Sequence, residues 1–117
     1  MLYEQKKFSV AEAAYRQSIA LNPNNAIAHS NLGAVLSEQG RLEDGIESFN
    51  TAIRIDKSCA GAHFNLGISL MMKEKLDDAI SSFQTAIRIN PSLAAAHYSL
   101  GHAFYKQGKK LDSIAQF

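Results

Sequence analysis

Apolar and small residues recur along the chain three and four positions apart, in stretches of about a dozen residues, and do not alternate strictly. This is the period of amphipathic helices, and it gives strands no support. It predicts helices over roughly residues 8–21, 26–39, 42–55, 60–73, 76–89 and 94–107. Asn22-Pro23-Asn24-Asn25, Asp56-Lys57-Ser58 and Asn90-Pro91-Ser92 close successive helix pairs, because proline cannot continue a helix and Asn, Asp or Ser can cap the next one. Within the pairs, Gly40 and Gly108 predict a tight turn, a place that Glu74 takes in the middle pair.

The pairs repeat. AHSNLG from Ala28 to Gly33 returns as AHFNLG from Ala62 to Gly67 and as AHYSLG from Ala96 to Gly101, each copy displaced by 34 residues. At that period Leu32, Leu66 and Leu100 coincide, as do Leu36, Leu70 and Phe104. So do Tyr15, Phe49, Phe83 and Phe117, with Ser18, Ala52 and Ala86 after them. Another column is small throughout: Ala11, Gly45, Ala79 and Ser113. A glycine inside a helix costs about 1 kcal/mol relative to alanine. Gly33, Gly67 and Gly101 on the first helices are therefore expected to mark close approach of the second helices, with Leu32 and Phe49 filling the sides.

This layout resembles the tetratricopeptide repeat, carried by Leu66-Gly67 and Leu70 in a first helix, Ala79, Phe83 and Ala86 in a second, and Pro91 at its end. The copy beginning at Ala26 departs in Gly45 and Lys57, where alanine and proline are usual. Histidines 29, 63 and 97 stand where an aromatic is often found. The resemblance implies an all-α, right-handed α-solenoid of stacked helix-turn-helix units, in which residues 1–117 form one domain. Its parts are a partial repeat at 1–25, repeats at 26–59 and 60–93, and a partial repeat at 94–117.

In this register the chain starts near Leu2 inside a first helix and stops at Phe117 inside a second, without a polar capping helix at either end. It is expected to be a slice of a longer array, or to have its ends covered by other chains. Leu2, Tyr3, Phe8 and Tyr15 at one end, and Phe104, Leu111, Ile114 and Phe117 at the other, lack their usual neighbours in this reading. Head-to-tail association or exchange of terminal helices is the expectation, with fraying of those helices as the competing outcome.

Composition narrows the function classes. A chain of 117 residues that is 46% hydrophobic supports one modest core. Its formal charge of +1, from twelve basic and eleven acidic residues well mixed, gives no footprint of a nucleic-acid or membrane-surface binder. The single Cys59 excludes an internal disulfide, and neither a membrane span nor the apolar core of a signal peptide is apparent, so a cytoplasmic place is the default expectation.

The helical period assigns His29, Leu32, Gly33 and Leu36 to the inward stripe of a first helix and Ile27, Ser30, Asn31, Ala34, Ser37 and Glu38 to a concave surface. The later copies place Phe64, Asn65, Ile68, Met71 and Met72, then Ala95, Tyr98, Ser99, His102, Tyr105 and Lys106, on the same surface. Aromatics with a polar edge are strong interface anchors, which favours Phe64, Tyr98 and Tyr105; Ile68, Met71 and Met72 suit packing between helices equally well. Asn31 and Asn65 share one repeat position, and each amide can pair with both the N–H and the C=O of an extended peptide. That pattern is similar to the asparagine ladders of tetratricopeptide arrays, including those attached to O-linked N-acetylglucosamine transferases. Ser99 breaks it in the third copy, and a bond from each asparagine to its own solenoid is the alternative.

The cationic cluster with which related domains clamp a C-terminal carboxylate is missing: Ser30, Ala34, Phe64 and Tyr98 occupy that neighbourhood. His29, His63 and His97 are a repeat apart, too far to share a metal ion held at about 2.1 Å, so no metal or other cofactor is expected. Cys59 reads as a cap or packing residue. No phosphate loop, carboxylate pair or nucleophile–base signature is evident, and Glu43, Asp44, Asp77 and Asp78 read as first-turn charges of second helices. The expected function is a non-catalytic module that binds a protein or peptide in its groove. The alternatives are a substrate-guiding arm of a larger enzyme such as an O-linked glycosyltransferase, and a self-associating scaffold.

Overall fold

The computed structural model describes the backbone of residues 2–115 and the side chains of residues 4–111. Six helices follow one another: α1 (Leu2–Leu21), α2 (Ala26–Glu38), α3 (Leu42–Ile55), α4 (Ala60–Met72), α5 (Leu76–Ile89) and α6 (Ala94–Ala115). Each packs against its neighbours in the chain, and the first helices also touch one another, α2 against α4 and α4 against α6. The second helices α3 and α5 do not meet, so α2, α4 and α6 form a continuous inner layer. The result is an all-α helical-repeat solenoid, flattened to extents of 53 × 35 × 21 Å.

The repeat columns become the core. Phe49 and Phe83 are fully buried, with Ala52, Ala79 and Ala86 beside them. A Cβ added to Gly33 would lie 2.6 Å from the Phe49 ring, and one added to Gly67 the same distance from Phe83. Glycine is required at both because the ring occupies the space of a side chain. Burying each ring stabilises the pair by about 1.5–3 kcal/mol.

The turns within the pairs are built from backbone. Arg41 N–H donates to Leu36 C=O at 2.9 Å, and Lys75 N–H to Leu70 C=O at 2.9 Å. Such a closure needs a left-handed residue just before the donor. Gly40 supplies it at φ 83°, and Glu74 adopts φ 61° in the same place. Between pairs, Asn22, Asp56 and Asn90 each accept a bond on their side chain from the backbone N–H two residues on, at 3.3, 3.0 and 3.3 Å. Asn25 caps α2 by accepting from Ala28 N–H at 3.1 Å. Cys59 occupies the same place before α4 without a side-chain cap bond. Glu43, Asp44, Asp77 and Asp78 lie in the first turns of α3 and α5, where a helix dipole favours negative charge.

The histidine column has a structural occupation. His29 Nε2 lies 3.0 Å from Pro23 C=O, His63 Nε2 3.2 Å from Lys57 C=O, and His97 Nε2 2.8 Å from Pro91 C=O. A carbonyl only accepts, so Nε2 carries the hydrogen in all three. Each ring thereby ties its first helix to the loop that enters it.

Two expectations are corrected. The turn predicted at Gly108 does not form, and α6 runs through it to Ala115. The packing predicted at Gly101 is also missing among the described residues, where no atom beyond its own stretch of helix lies within 4 Å of the position of its Cβ. These share a cause. A turn persists where the returning helix fills the glycine gap with an aromatic ring, and one glycine's cost of about 1 kcal/mol does not break a helix without that gain. For the same reason α1 continues through Lys6, the repeat equivalent of Gly40. Ser113, Ile114 and Phe117, and Leu2 and Tyr3, were assigned to exposed ends or repeat columns; their side chains lie outside the described residues.

Candidate functional site: the concave face

The inner layer presents one face of α2, α4 and α6. Between α2 and α4 runs a cleft of about 180 Å³, lined by Ala34, Ser37, Glu38, Asn65, Ile68 and Met72, with Phe49 and Ser69 at its floor. Ser37 and Ser69 join the two helices through a hydroxyl–hydroxyl bond of 3.1 Å. Sequence reasoning did not single out Ser69; its signal is a hydroxyl in a column otherwise held by Val35 and Ala103.

The candidate residues separate into three groups. Phe64 and Ile68, with Met71, pack against the buried cluster of Ala79, Ile80, Phe83 and Ala103. The Phe64 ring is tilted on Phe83 at a centroid distance of 5.9 Å, so this residue is half-buried rather than the open groove aromatic expected. Met72, Tyr98, His102, Tyr105 and Lys106 stand exposed, and Tyr98 reaches 78% exposure. The ammonium of Lys109 sits 5.4 Å from the Tyr105 ring centroid, within cation–π range. Asn31 is exposed and Asn65 half-buried, and no described residue hydrogen-bonds either amide. Ser30 was expected on this surface and is buried.

A wider opening of about 610 Å³ lies between α1, α2 and α3, lined among others by Arg16, Ile19, His29, Leu32, Arg41 and Thr51. None was predicted as a binding residue there. Its two guanidinium groups already serve Glu12: Arg16 Nε donates at 2.9 Å and Arg41 Nη1 at 3.1 Å. Gln39 Nε2 adds a bond at 3.4 Å. Together these hold the Glu12 carboxyl below the usual carboxylate range, the Arg16 bond contributing most. This network ties α1 to the α2–α3 turn. Among the described residues no group of His, Cys, Asp and Glu is arranged to hold a metal ion, and no helix is long and apolar enough to cross a membrane.

No curated protein matches the chain. Among solved structures, MamA is similar at 30% identity and TM-score 0.79, over 91% of this chain and 62% of that one, so the chain spans less than two thirds of MamA. The Sgt2 tetratricopeptide domain from Aspergillus fumigatus superimposes with TM-score 0.87 at 22% identity, over 94% of this chain and 74% of its own. The first such domain of Spaghetti (RPAP3), bound to the HSP90 peptide SRMEEVD, gives 0.84 at 17% identity, over 91% and 84%. These two likenesses concern the fold. Two family models also match: "TPR repeat" over residues 1–40 and 69–108, and "Tetratricopeptide repeat" over residues 26–59. With more than half its residues matched and the repeat columns buried as that fold requires, the chain belongs to the tetratricopeptide-repeat family.

Proposed function

We propose that this protein-interaction module holds a peptide segment of its partner across the concave face of α2, α4 and α6. The observation that carries this reading is the pair of asparagine amides, Asn31 and Asn65, set one repeat apart with no hydrogen-bond partner among the described residues. An extended peptide offers each amide an N–H and a C=O. Met72, Tyr98 and Tyr105 give apolar area beside them, which a face turned to water would not otherwise carry. That the RPAP3 domain holds a peptide supports the fold's capacity to present such a groove, and at 17% identity it says nothing of sequence preference. The test is capture of partners by the intact chain against Asn65→Ala/Tyr98→Ala at equal loading. A set of proteins retained by the first and lost by the second is expected; identical sets overturn the reading.

The open position over Gly101 favours a second reading, self-association. Phe104, at the repeat position of Leu36 and Leu70, and Leu111 are exposed on the helix of Gly101, whose counterparts Gly33 and Gly67 are sealed by Phe49 and Phe83. A second-type helix from another copy fits this socket, and α1 carries the matching small and aromatic residues, Ala11 and Tyr15. Sedimentation over a wide concentration range should show mass rising with concentration and Phe104→Ser abolishing the rise. A monomer throughout removes the idea.

A further inference from the structure

The groove carries a charge order that fixes the chemistry of its peptide. One repeat position of the concave face is held in turn by Glu4, Glu38, Met72 and Lys106, each 34 residues from the last, and all four are exposed. Glu4 and Glu38 line one cleft of about 390 Å³ at the α1–α2 end, whose walls contain no cation. Glu38 continues into the cleft with Asn65, Ile68 and Met72. At the far end, Lys106 is followed by Lys109 over the Tyr105 ring, and residues 94–111 contain no Asp or Glu. The helix between them, α4, has no Asp, Glu, Lys or Arg. The groove is therefore acidic at α2, apolar at α4 and basic at α6, although the whole chain is almost neutral.

We infer that the ligand is an internal peptide segment of matching polarity, with a basic residue over Glu38 and Glu4, apolar side chains over Met72, and an acidic residue at Lys106 and Lys109. This rests on the concave face being the binding site. Two steps between neighbouring first helices span roughly 20 Å at about 10 Å each. An extended chain covers that in about six residues, at roughly 3.3 Å per residue, which sets the separation of the two ligand charges. The acid is a side chain rather than a terminal carboxylate, because the lysines at this end all stand on α6 and no Lys or Arg of α2 or α4 faces them across the groove to clamp a chain end. Both contacts are exposed to solvent, so the charges order and orient the peptide, and binding weakens with salt.

The experiment is selection from a displayed library of random dodecapeptides, each fused through its C-terminus so that no free carboxylate competes. The 117-residue chain serves as bait beside Lys106→Glu/Lys109→Glu and Glu38→Lys. The wild-type pool should carry a base and an acid about six residues apart around apolar residues. A synthetic peptide from that pool should bind about tenfold more weakly to Lys106→Glu/Lys109→Glu, with affinity restored when its acid becomes lysine. Peptides that bind through Asn65 and Tyr98 without charge order, or that are indifferent to the lysine variants, overturn this inference and leave the groove standing. A library giving no peptide that distinguishes wild type from Asn65→Ala/Tyr98→Ala overturns the groove as well.

Discussion

At the scale of single residues, the repeat turns a chemical accident into a controlled comparison. Gly40 and Glu74 occupy the same left-handed turn, and a side chain there carries a penalty of about 1–2 kcal/mol that glycine avoids. Glu74→Gly should therefore stabilise the fold by about 1 kcal/mol, seen as a melting temperature higher by about 4 °C. The framework glycines give the opposite contrast. Gly67→Ala pushes a methyl group into the Phe83 ring and should cost about 1–3 kcal/mol in denaturant unfolding. Gly101→Ala meets open space inside a helix and should be neutral or gain up to about 1 kcal/mol. Equal losses from the two substitutions would show that a helix seals both positions.

At the scale of elements, the joints are polar and the seams apolar. The α1 helix lacks the large buried ring of α3 and α5, and part of its attachment is the Glu12 network to Arg16, Gln39 and Arg41. Because Glu12 has a lowered folded pKa, its stabilisation is fully present above the ordinary carboxylate value and is lost as pH falls through the folded value. Wild type should exceed Glu12→Gln in stability at neutral pH, and the difference should vanish in acid, as measured by urea unfolding of both at each pH. The groups are solvent-accessible, so the difference should also shrink in high salt. A constant gap across pH would mean that the loss reflects packing rather than charge.

At the scale of the whole molecule, each repeat is stabilised by its neighbours, so protection should grade from the centre outward. Amides of α4 and α5, which flank Phe83, should be the slowest to exchange with deuterium. Those of α6 beyond Gln107, where Lys109, Lys110 and Leu111 are exposed, should be among the fastest of the described helices. Uniform protection along α6 would show that its distal half is covered, as self-association requires.

The sequence by itself determined six helices, their pairing, the loop chemistry and the two aromatic seams, because these follow from local periodicity and from residues that suit only one backbone shape. It also made the concave face legible as a set of columns. Only the tertiary structure decided how each column is used. Ser30, Phe64 and Tyr98 share one repeat position, yet the first is buried, the second rests on Phe83 and the third is 78% exposed. Gly40 turns the chain, whereas Gly108 lies within a continuous helix. The reason is the same in both cases. Periodicity fixes which way a side chain points, while burial and turning depend on whether another helix lies against that face. Here α2 and α4 each have a returning second helix and a following first helix against them, and α6 has neither among the described residues.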